Sequence, residues 1–519
     1  MRSVDLRLGI DVGGTNTDAV VLDRGDLLLA KAKVPTTPDV TSGIRTAVDS
    51  VLASGVDRSR ITHAMLGTTH ATNAVLQRRG LRKVAVLRLG GPATHGVRPL
   101  FGWPEDLKAT ISVGEAIVDG GIEFDGRELS PLDEEAIRRF CQEMAGAADG
   151  VALTSVFSPV SNRHELAAVE IIRKELGEDF HISSSHEIGS VGLLERENAT
   201  VLNVAVTRVA EDVARSMAGA MAAHGLDATP FLTQNDGTLM ALEFALRYPV
   251  LTIGSGPANS IRGAAYLTGA RDALVADVGG TSADIGVLVG GFPRESNAGV
   301  EVGGIRTNFR MPDLVTIALG GGTIISANGS EVRVGPQSVG YRLTEEALVF
   351  GGTVPTLTDA AVAAGRATLG DPSRAEAMSS SLRRAIEMAD TMLAEGIDRV
   401  KTSRQARPLI AVGGGSVVVP ESLPGVSEID RPDHFDVANA IGAAIAWVSG
   451  EIDRVFHVGP GGREAMLEEA SAEATDRALR AGADPDRVEV VELEEIPLAY
   501  LTTPAVRVRA KAAGPLRSV

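Results

Sequence analysis

The sequence predicts an α/β protein built from two related halves, and three observations carry that prediction. An eight-residue phrase occurs twice. It reads Asp11-Val12-Gly13-Gly14-Thr15-Asn16-Thr17-Asp18 and then, 266 residues on (11 to 277), Asp277-Val278-Gly279-Gly280-Thr281-Ser282-Ala283-Asp284, with six of eight positions identical. Each copy lies between apolar, β-branched runs, Leu6 to Ile10 and Ala19 to Leu22 for the first, Ala273 to Ala276 and Ile285 to Val289 for the second. That is strand, glycine turn, strand, used twice. Finally, 519 residues suffice for two or more domains with separate cores, and the 58 glycines gather in short runs where backbone meets backbone or ligand.

Along the chain, Leu6 to Val34 reads as three strands in tight succession. A helix follows from Asp39 to Leu52, starting after Pro38, then a strand over Ile61 to Leu66 ending in Gly67-Thr68-Thr69. A helix to about Gln77 and a strand over Lys83 to Leu89 complete a βββαβαβ order, the signature of a ribonuclease-H-like half-domain with a mixed sheet. Gly90 to Ser130 is rich in Pro and Gly and reads as loop. Helices over Leu132–Met144 and Asn162–Leu176 alternate with strands over Val151–Phe157 and Phe180–Ser184. A long alanine-rich helix from Glu195 to Ala223 is expected to join the halves. Phe231 to Gln234 begins a further αβ segment, and Pro257 to Leu267 reads as a helix with proline in its first turn. The second half restarts at Ala273, with a strand over Pro408–Val412, a small-residue helix over Asp436–Val448, strand alternation from Asp486 and a weak tail from about Lys511. The expected division is 1–190 and 271–455 for the two halves, 191–270 for the link and 456–519 for a C-terminal extension.

The formal charge of −17 and an aromatic content of 3% argue against nucleic acid as the main partner. The single cysteine, Cys141, excludes an intrachain disulfide and reads as an inert, partly buried thiol. No signal-peptide pattern and no apolar run of about 18 residues is present. The longest candidate, Val437 to Val448, is short and contains Asn439. A cytoplasmic protein without a membrane partner is expected.

Paired glycines at a strand–turn–strand aim backbone amides at one point and let a phosphate oxygen come close. This assigns Gly13, Gly14, Thr15 and Asn16 of the first copy, and Gly279, Gly280, Thr281 and Ser282 of the second, to phosphate binding. Asp11 and Asp277, at strand ends, suit Mg²⁺ held through water. Asp18 and Asp284 either face the cleft or tie the hairpin amides. A dinucleotide fold fits less well, because its glycines open a helix and these open a strand. A Walker A loop needs a Gly-Lys dipeptide, which the chain lacks. Gly413, Gly414 and Gly415, at a late strand end, are placed to hold the adenosine side of ATP. Gly320-Gly321-Gly322-Thr323 is either an active-site loop or a structural turn.

Thr68, Thr69 and Asn73 follow a strand end that should face the cleft. Thr69 could equally be an N-cap, and His70 is a weaker base candidate. His164-Glu165 lacks the second histidine of a zinc protease motif. Glu195 and Arg196 read equally as substrate-side residues or as a surface pair.

These phrases together resemble the hydantoinase A / 5-oxoprolinase family, a branch of the sugar-kinase/Hsp70/actin ATPase superfamily. The resemblance runs through Gly9 to Asp18, Gly67 to Ala74, Ser155-Val156-Phe157 with Asn162 to Glu165, Leu194 to Thr200, Gln234 to Gly237 and Ser255 to Ala258. It continues with Asp277 to Asp284, Gly320 to Thr323 and Pro355 to Ala360. It implies two actin/sugar-kinase-type half-domains around a nucleotide cleft. It also implies ATP- and Mg²⁺-dependent ring opening of a cyclic amide such as a hydantoin, 5-oxoproline or a lactam. Asp11, Asp277, Thr68, Thr69 and Asn73 would form the catalytic set. Family members often work with a second hydrolase subunit, and self-association stays open. The chain departs from the large members in being shorter and in running from Gly335-Pro336-Gln337-Ser338 to Gly351-Gly352 without their proline- and cysteine-containing stretch. Three other readings therefore stay beside ring opening: an ATP-dependent carboxylase subunit, a small-molecule kinase, and a nucleotide-switched regulator.

Overall fold

The structure is a computed structural model and describes residues 5–37, 40–189, 191–296, 300–328, 331–457, 462–498 and 505–517. Two mixed sheets repeat one plan. In the first, Leu6–Val12 pairs antiparallel with Asn16–Leu22, which pairs antiparallel with Leu28–Pro35. On its other side Leu6–Val12 runs parallel to Ile61–Thr68, and that strand parallel to Thr229–Thr233. In the second, Ala273–Val278 pairs antiparallel with Ala283–Val289, parallel with Arg407–Val412, and the last parallel with Val426–Asp430. Both are the mixed sheet of the ribonuclease-H-like plan, third-second-first-fourth-fifth. The first strands are almost wholly buried because helices cover both faces, which is why they read as continuous apolar runs.

Sheet membership differs from the local strand order at several points. The strand read at Lys83–Leu89 forms over Val84–Gly91, but it heads a separate four-stranded parallel sheet with Ser112–Asp119, Gly150–Ser155 and His181–Ser184. Thr229–Thr233 takes the fifth position in the first sheet instead. The region read as loop holds a helix, Glu105–Ile111, and the edge strand Ser112–Asp119. Leu193–His224 is a 32-residue helix, but it does not join the halves. Its start packs on the four-stranded sheet through Ala199, Leu202 and Ala205, and its end on the first sheet through Val213, Met217 and Ala220.

The halves meet through two shorter helices, Ser255–Thr268 and Ala438–Ile445. A Cβ on Gly263 would lie 1.8 Å from the Ala438 carbonyl oxygen, and one on Gly442 1.8 Å from that of Asn259, so only glycine permits this crossing. The small-residue helix read from sequence is thus one side of the contact between halves.

The tail read at Lys511 is a correction. Ala505–Gly514 is a strand between Val448–His457 and Glu489–Leu498, and these three, joined through Leu239–Ala241, extend the first sheet to nine strands. Lys511 is buried, with its ammonium 2.6 Å from Asp236 and 2.9 Å from Glu295. Alternation is masked there because the strand carries Arg507, Arg509 and Lys511, cations that find buried or half-buried carboxylates instead of solvent. Cys141 is buried, and burial pushes its thiol up to about 11. No described helix is long and apolar enough to cross a membrane.

Candidate active site

The two repeated phrases form hairpins of matching geometry. Asp11 sits opposite Asp18 in the antiparallel register, and Asp277 opposite Asp284. Each leading aspartate lies over a glycine at the end of the neighbouring parallel strand. A Cβ on Gly67 would fall 2.4 Å from Asp11 Oδ1, and one on Gly413 2.3 Å from Asp277 Oδ1. The glycines leave room for the carboxylates, and Gly413 also holds φ +83°, which L side chains resist.

One helix carries partners for both carboxylates. Asn259 Nδ2 lies 3.5 Å from Asp11 Oδ1, at the limit of a hydrogen bond, and Ser260 Oγ donates to Asp277 Oδ2 at 2.6 Å. From the other crossing helix, Asn439 Nδ2 donates to Asp11 Oδ2 at 2.8 Å. The hairpins also approach each other, since a Cβ on Gly280 would lie 3.0 Å from Thr15 Oγ1.

Burial and the nearby Asp18 charge push the Asp11 carboxyl up to about 7, with Asp277 adding to the rise and the asparagine hydrogen bonds opposing it. Asp277 is raised by burial, against the Ser260 hydrogen bond and the Lys33 charge. Burial lifts Asp284 to about 6, although Thr316 donates to it at 2.5 Å. Burial also raises Asp18, while Lys33 pulls it down through two 2.8 Å contacts.

Carboxylates held above their ordinary range mark a site short of positive charge. The oxygen donors fit a hard cation such as Mg²⁺, which takes one or two carboxylates, waters and phosphate oxygens. Asn259 Oδ1, buried and without a hydrogen-bond partner, adds an unused oxygen beside Asp11. Among the described residues no three His, Cys, Asp or Glu side chains converge as a metal cage.

The glycines divide by what demands them. Gly415 donates its amide to Val278 O at 2.7 Å, and a Cβ there would meet Gly279 O at 2.2 Å. Gly321 and Gly322 donate to Gly279 O and Gly280 O at 3.0 and 2.7 Å, so the Gly320–Thr323 cluster braces the second hairpin. Thr36 does the same for the first, donating from its hydroxyl to Gly13 O at 2.9 Å and from its amide to Thr15 O at 2.9 Å. Gly14 has nothing within 4 Å of a Cβ, and Gly414 only the Lys33 side chain at 3.5 Å. Neither holds a left-handed φ, so the protein's own packing does not demand glycine at these positions.

Thr68, Thr69 and Asn73 cluster beside the first hairpin. The Thr69 amide and hydroxyl both reach Val12 O at 3.4 Å, and Asn73 Nδ2 donates to Thr69 Oγ1 at 3.3 Å. Thr69 occupies the N-cap position of His70–Gln77 without a side-chain cap bond; Thr68 Oγ1 instead accepts from the His70 amide at 3.2 Å. The Thr68 hydroxyl also lies 2.6 Å from His70 Nδ1, and burial lowers the imidazole's affinity for protons.

Arg196 is 1% exposed and not a surface residue: its guanidinium donates to Ser185 Oγ at 2.9 Å and Ser155 O at 2.6 Å. Glu165 is a buried hub accepting from the Ser155 amide at 2.8 Å and Ser185 Oγ at 2.5 Å. Sequence reasoning missed Lys33, Asn259, Ser260 and Asn439. Asn259 and Ser260 continue the Ser255–Ala258 phrase and could have been found by extending it; nothing local marked Lys33.

Residues 7–176 match the hydantoinase/oxoprolinase N-terminal region and residues 196–371 match hydantoinase/oxoprolinase. The caprolactamase subunit alpha of Pseudomonas jessenii is 29% identical over 474 residues, covering 80% of this chain and 66% of that protein. The acetophenone carboxylase gamma subunit of Aromatoleum aromaticum is 28% identical over 396 residues, covering 69% of this chain and 53% of that protein. The matched stretches thus span about half to two thirds of these relatives. The nucleotide-free structure of acetone carboxylase superposes with a TM-score of 0.75 at 18% identity, covering 100% of this chain and 88% of that chain, and shares the fold. With both of the family's regions matched in order over residues 7–371, the chain belongs to the hydantoinase/oxoprolinase family.

Proposed function

We propose that the protein uses ATP to activate and open a cyclic amide such as a hydantoin, 5-oxoproline or a lactam. The observation that carries this reading is the pair of hairpins, each placing an aspartate over a strand-end glycine, with Asn259 and Ser260 of one helix meeting both aspartates. ATP would lie between the hairpins, its phosphates against Gly13 to Asn16 on one side and Gly279 to Ser282 on the other, with its adenosine side toward Gly413 to Gly415. Asp11 and Asp277 would hold Mg²⁺, which supplies charge neutralisation to the phosphates when bound.

An amide carbonyl resists water, and phosphorylating its oxygen makes a leaving group. The amide oxygen forms a bond to the γ-phosphorus as the bond to the β-phosphate oxygen breaks, and ADP departs. Water then adds to the activated carbon, the ring C–N bond breaks with the nitrogen taking a proton to leave an acyl phosphate, and a second water cleaves that acyl phosphate to release phosphate and the open-chain carboxylate. The residues orient the partners and offset charge. Burial pushes the Asp11 carboxyl up to about 7, and a bound cation would draw it back to its ionised form. Thr68, Thr69 and Asn73 would face the amide.

The nearly equal similarity to a carboxylase subunit favours one alternative, in which the same activation serves carboxylation of a ketone. The names of both relatives designate subunits, which supports a second subunit as partner. The test is phosphate release from ATP and Mg²⁺ with a panel of hydantoins, 5-oxoproline, lactams, sugars, and ketones with bicarbonate. Release that depends on a cyclic amide is expected. Release that depends only on ketone and bicarbonate selects the alternative, and turnover that ignores every compound rejects both.

A further inference from the structure

Lys33, on the third strand of the first sheet, reaches from the first hairpin toward the second half. Its ammonium donates to both oxygens of Asp18 at 2.8 Å, and to the main-chain carbonyl of Asp436 at 2.8 Å. Asp436 belongs to the segment that meets the second half's glycine loop. The carbonyl of its neighbour Phe435 accepts the Gly413 amide at 2.9 Å, and a Cβ on Gly414 would lie 3.5 Å from Lys33 Cε. Lys33 therefore spans from the first hairpin to the glycine loop facing it. Its charge also bears on Asp277.

The Lys33 side chain keeps 27% of its surface exposed, while Asp18 keeps 3%. The carboxylate is fixed and the ammonium, on a flexible four-carbon stem, is free to turn its donors to another anion. Lys31, two residues away on the same strand, bonds the Asp436 carboxylate at 2.8 Å.

We propose that Lys33 is a phosphate-binding residue that exchanges Asp18 for the terminal phosphate of a nucleoside triphosphate, so that the site prefers triphosphate to diphosphate. This rests on the nucleotide reading of the cleft. A lysine that merely staples the two halves would affect both nucleotides alike.

The test is titration calorimetry of ATP and ADP, each with Mg²⁺, on the full chain. Lys33→Ala is expected to weaken ATP about tenfold or more and ADP less than about threefold, the loss of one charge-assisted contact. Lys33→Arg should restore part of the preference. Asp18→Asn removes the resting competitor and should tighten ATP while leaving ADP unchanged. Because Lys33→Ala strands a buried carboxylate, the double variant Asp18→Asn/Lys33→Ala keeps the test open if the single variant does not fold. It should show the same lost preference. Lys31→Ala should alter both nucleotides less than about threefold. Equal weakening of ATP and ADP, or an unchanged preference, overturns the proposal. Wild-type protein that binds neither nucleotide overturns the nucleotide reading, and this assignment with it.

Discussion

The first and second halves carry the same hairpin, the same strand order and the same aspartate-over-glycine contact, yet their carboxylates live in different company. Asp11 has two asparagine neighbours, Asn259 and Asn439, and a like charge opposite; Asp277 has a serine donor. Asp18 is paired with Lys33, while Asp284 faces the Thr316 hydroxyl. The braces differ too: Thr36 supports the first hairpin, and the amides of Gly321, Gly322 and Gly415 support the second. A shared backbone plan thus sets where the two leading aspartates sit, and the unshared neighbours set the charge environment of each. Both leading carboxylates are raised by burial, and the Asp11 carboxyl is pushed up to about 7.

Replacing the two aspartates probes this division most severely. Asp11→Asn and Asp277→Asn should each reduce amide-dependent phosphate release about 10²–10³-fold, the size of losing one preorganised electrostatic partner. A loss confined to one of them would break the symmetry claimed for the hairpins.

The C-terminal strands extend only the first sheet, so Lys511 tests an asymmetry between the halves. Lys511→Met strands Asp236 and Glu295 and should destabilise the fold by about 3 kcal/mol in denaturant titration, with ATP affinity unchanged in the folded protein. Tolerance of the substitution would return the segment to the status of a tail.

The protonation difference gives a smaller effect with a defined sign. Asp11 has its folded affinity for protons raised from 3.8 to about 7, so its favourable contribution is full below pH 4 and is lost as pH rises through 7. Asp11→Asn removes that loss. It should gain about 3 kcal/mol over the wild type between pH 4.5 and pH 8, read by denaturant titration at each pH. Asp284→Asn should gain less, since Asp284 rises only to about 6. A larger gain at Asp284 would contradict the order of the two carboxyls, Asp11 above Asp284.

Gly14 separates ligand demand from packing demand. Gly14→Ala should leave stability within about 0.5 kcal/mol. It should weaken ATP binding about tenfold, or roughly 1.4 kcal/mol. Gly67→Ala, driven 2.4 Å from Asp11, should disturb both.

Much of this architecture was legible in the residues because the deciding signals are local. The duplicated hairpins, the strands leading into Gly67 and Gly413, and the small-residue helix over Ala438–Ile445 each announce themselves by pattern. Long-range choices were not legible. Val84–Gly91 has the same buried, apolar character as a strand of the first sheet, and nothing in it says that Thr229–Thr233 will take its place. The strand over Ala505–Gly514 hid behind cations whose carboxylate partners lie up to 275 residues away in sequence (236 to 511). Nothing local singled out Lys33, because its partner Asp18 is revealed only by the register between the second and third strands, which pairs the two directly.

The central claim is that both hairpins converge on a single nucleotide, and calorimetric titration with ATP and Mg²⁺ tests it most directly. One ATP per chain is expected, with binding weakened about 100-fold or more in Asp11→Ala and in Asp277→Ala alike. Two ATP molecules per chain, or full affinity retained when either aspartate is replaced, would contradict it.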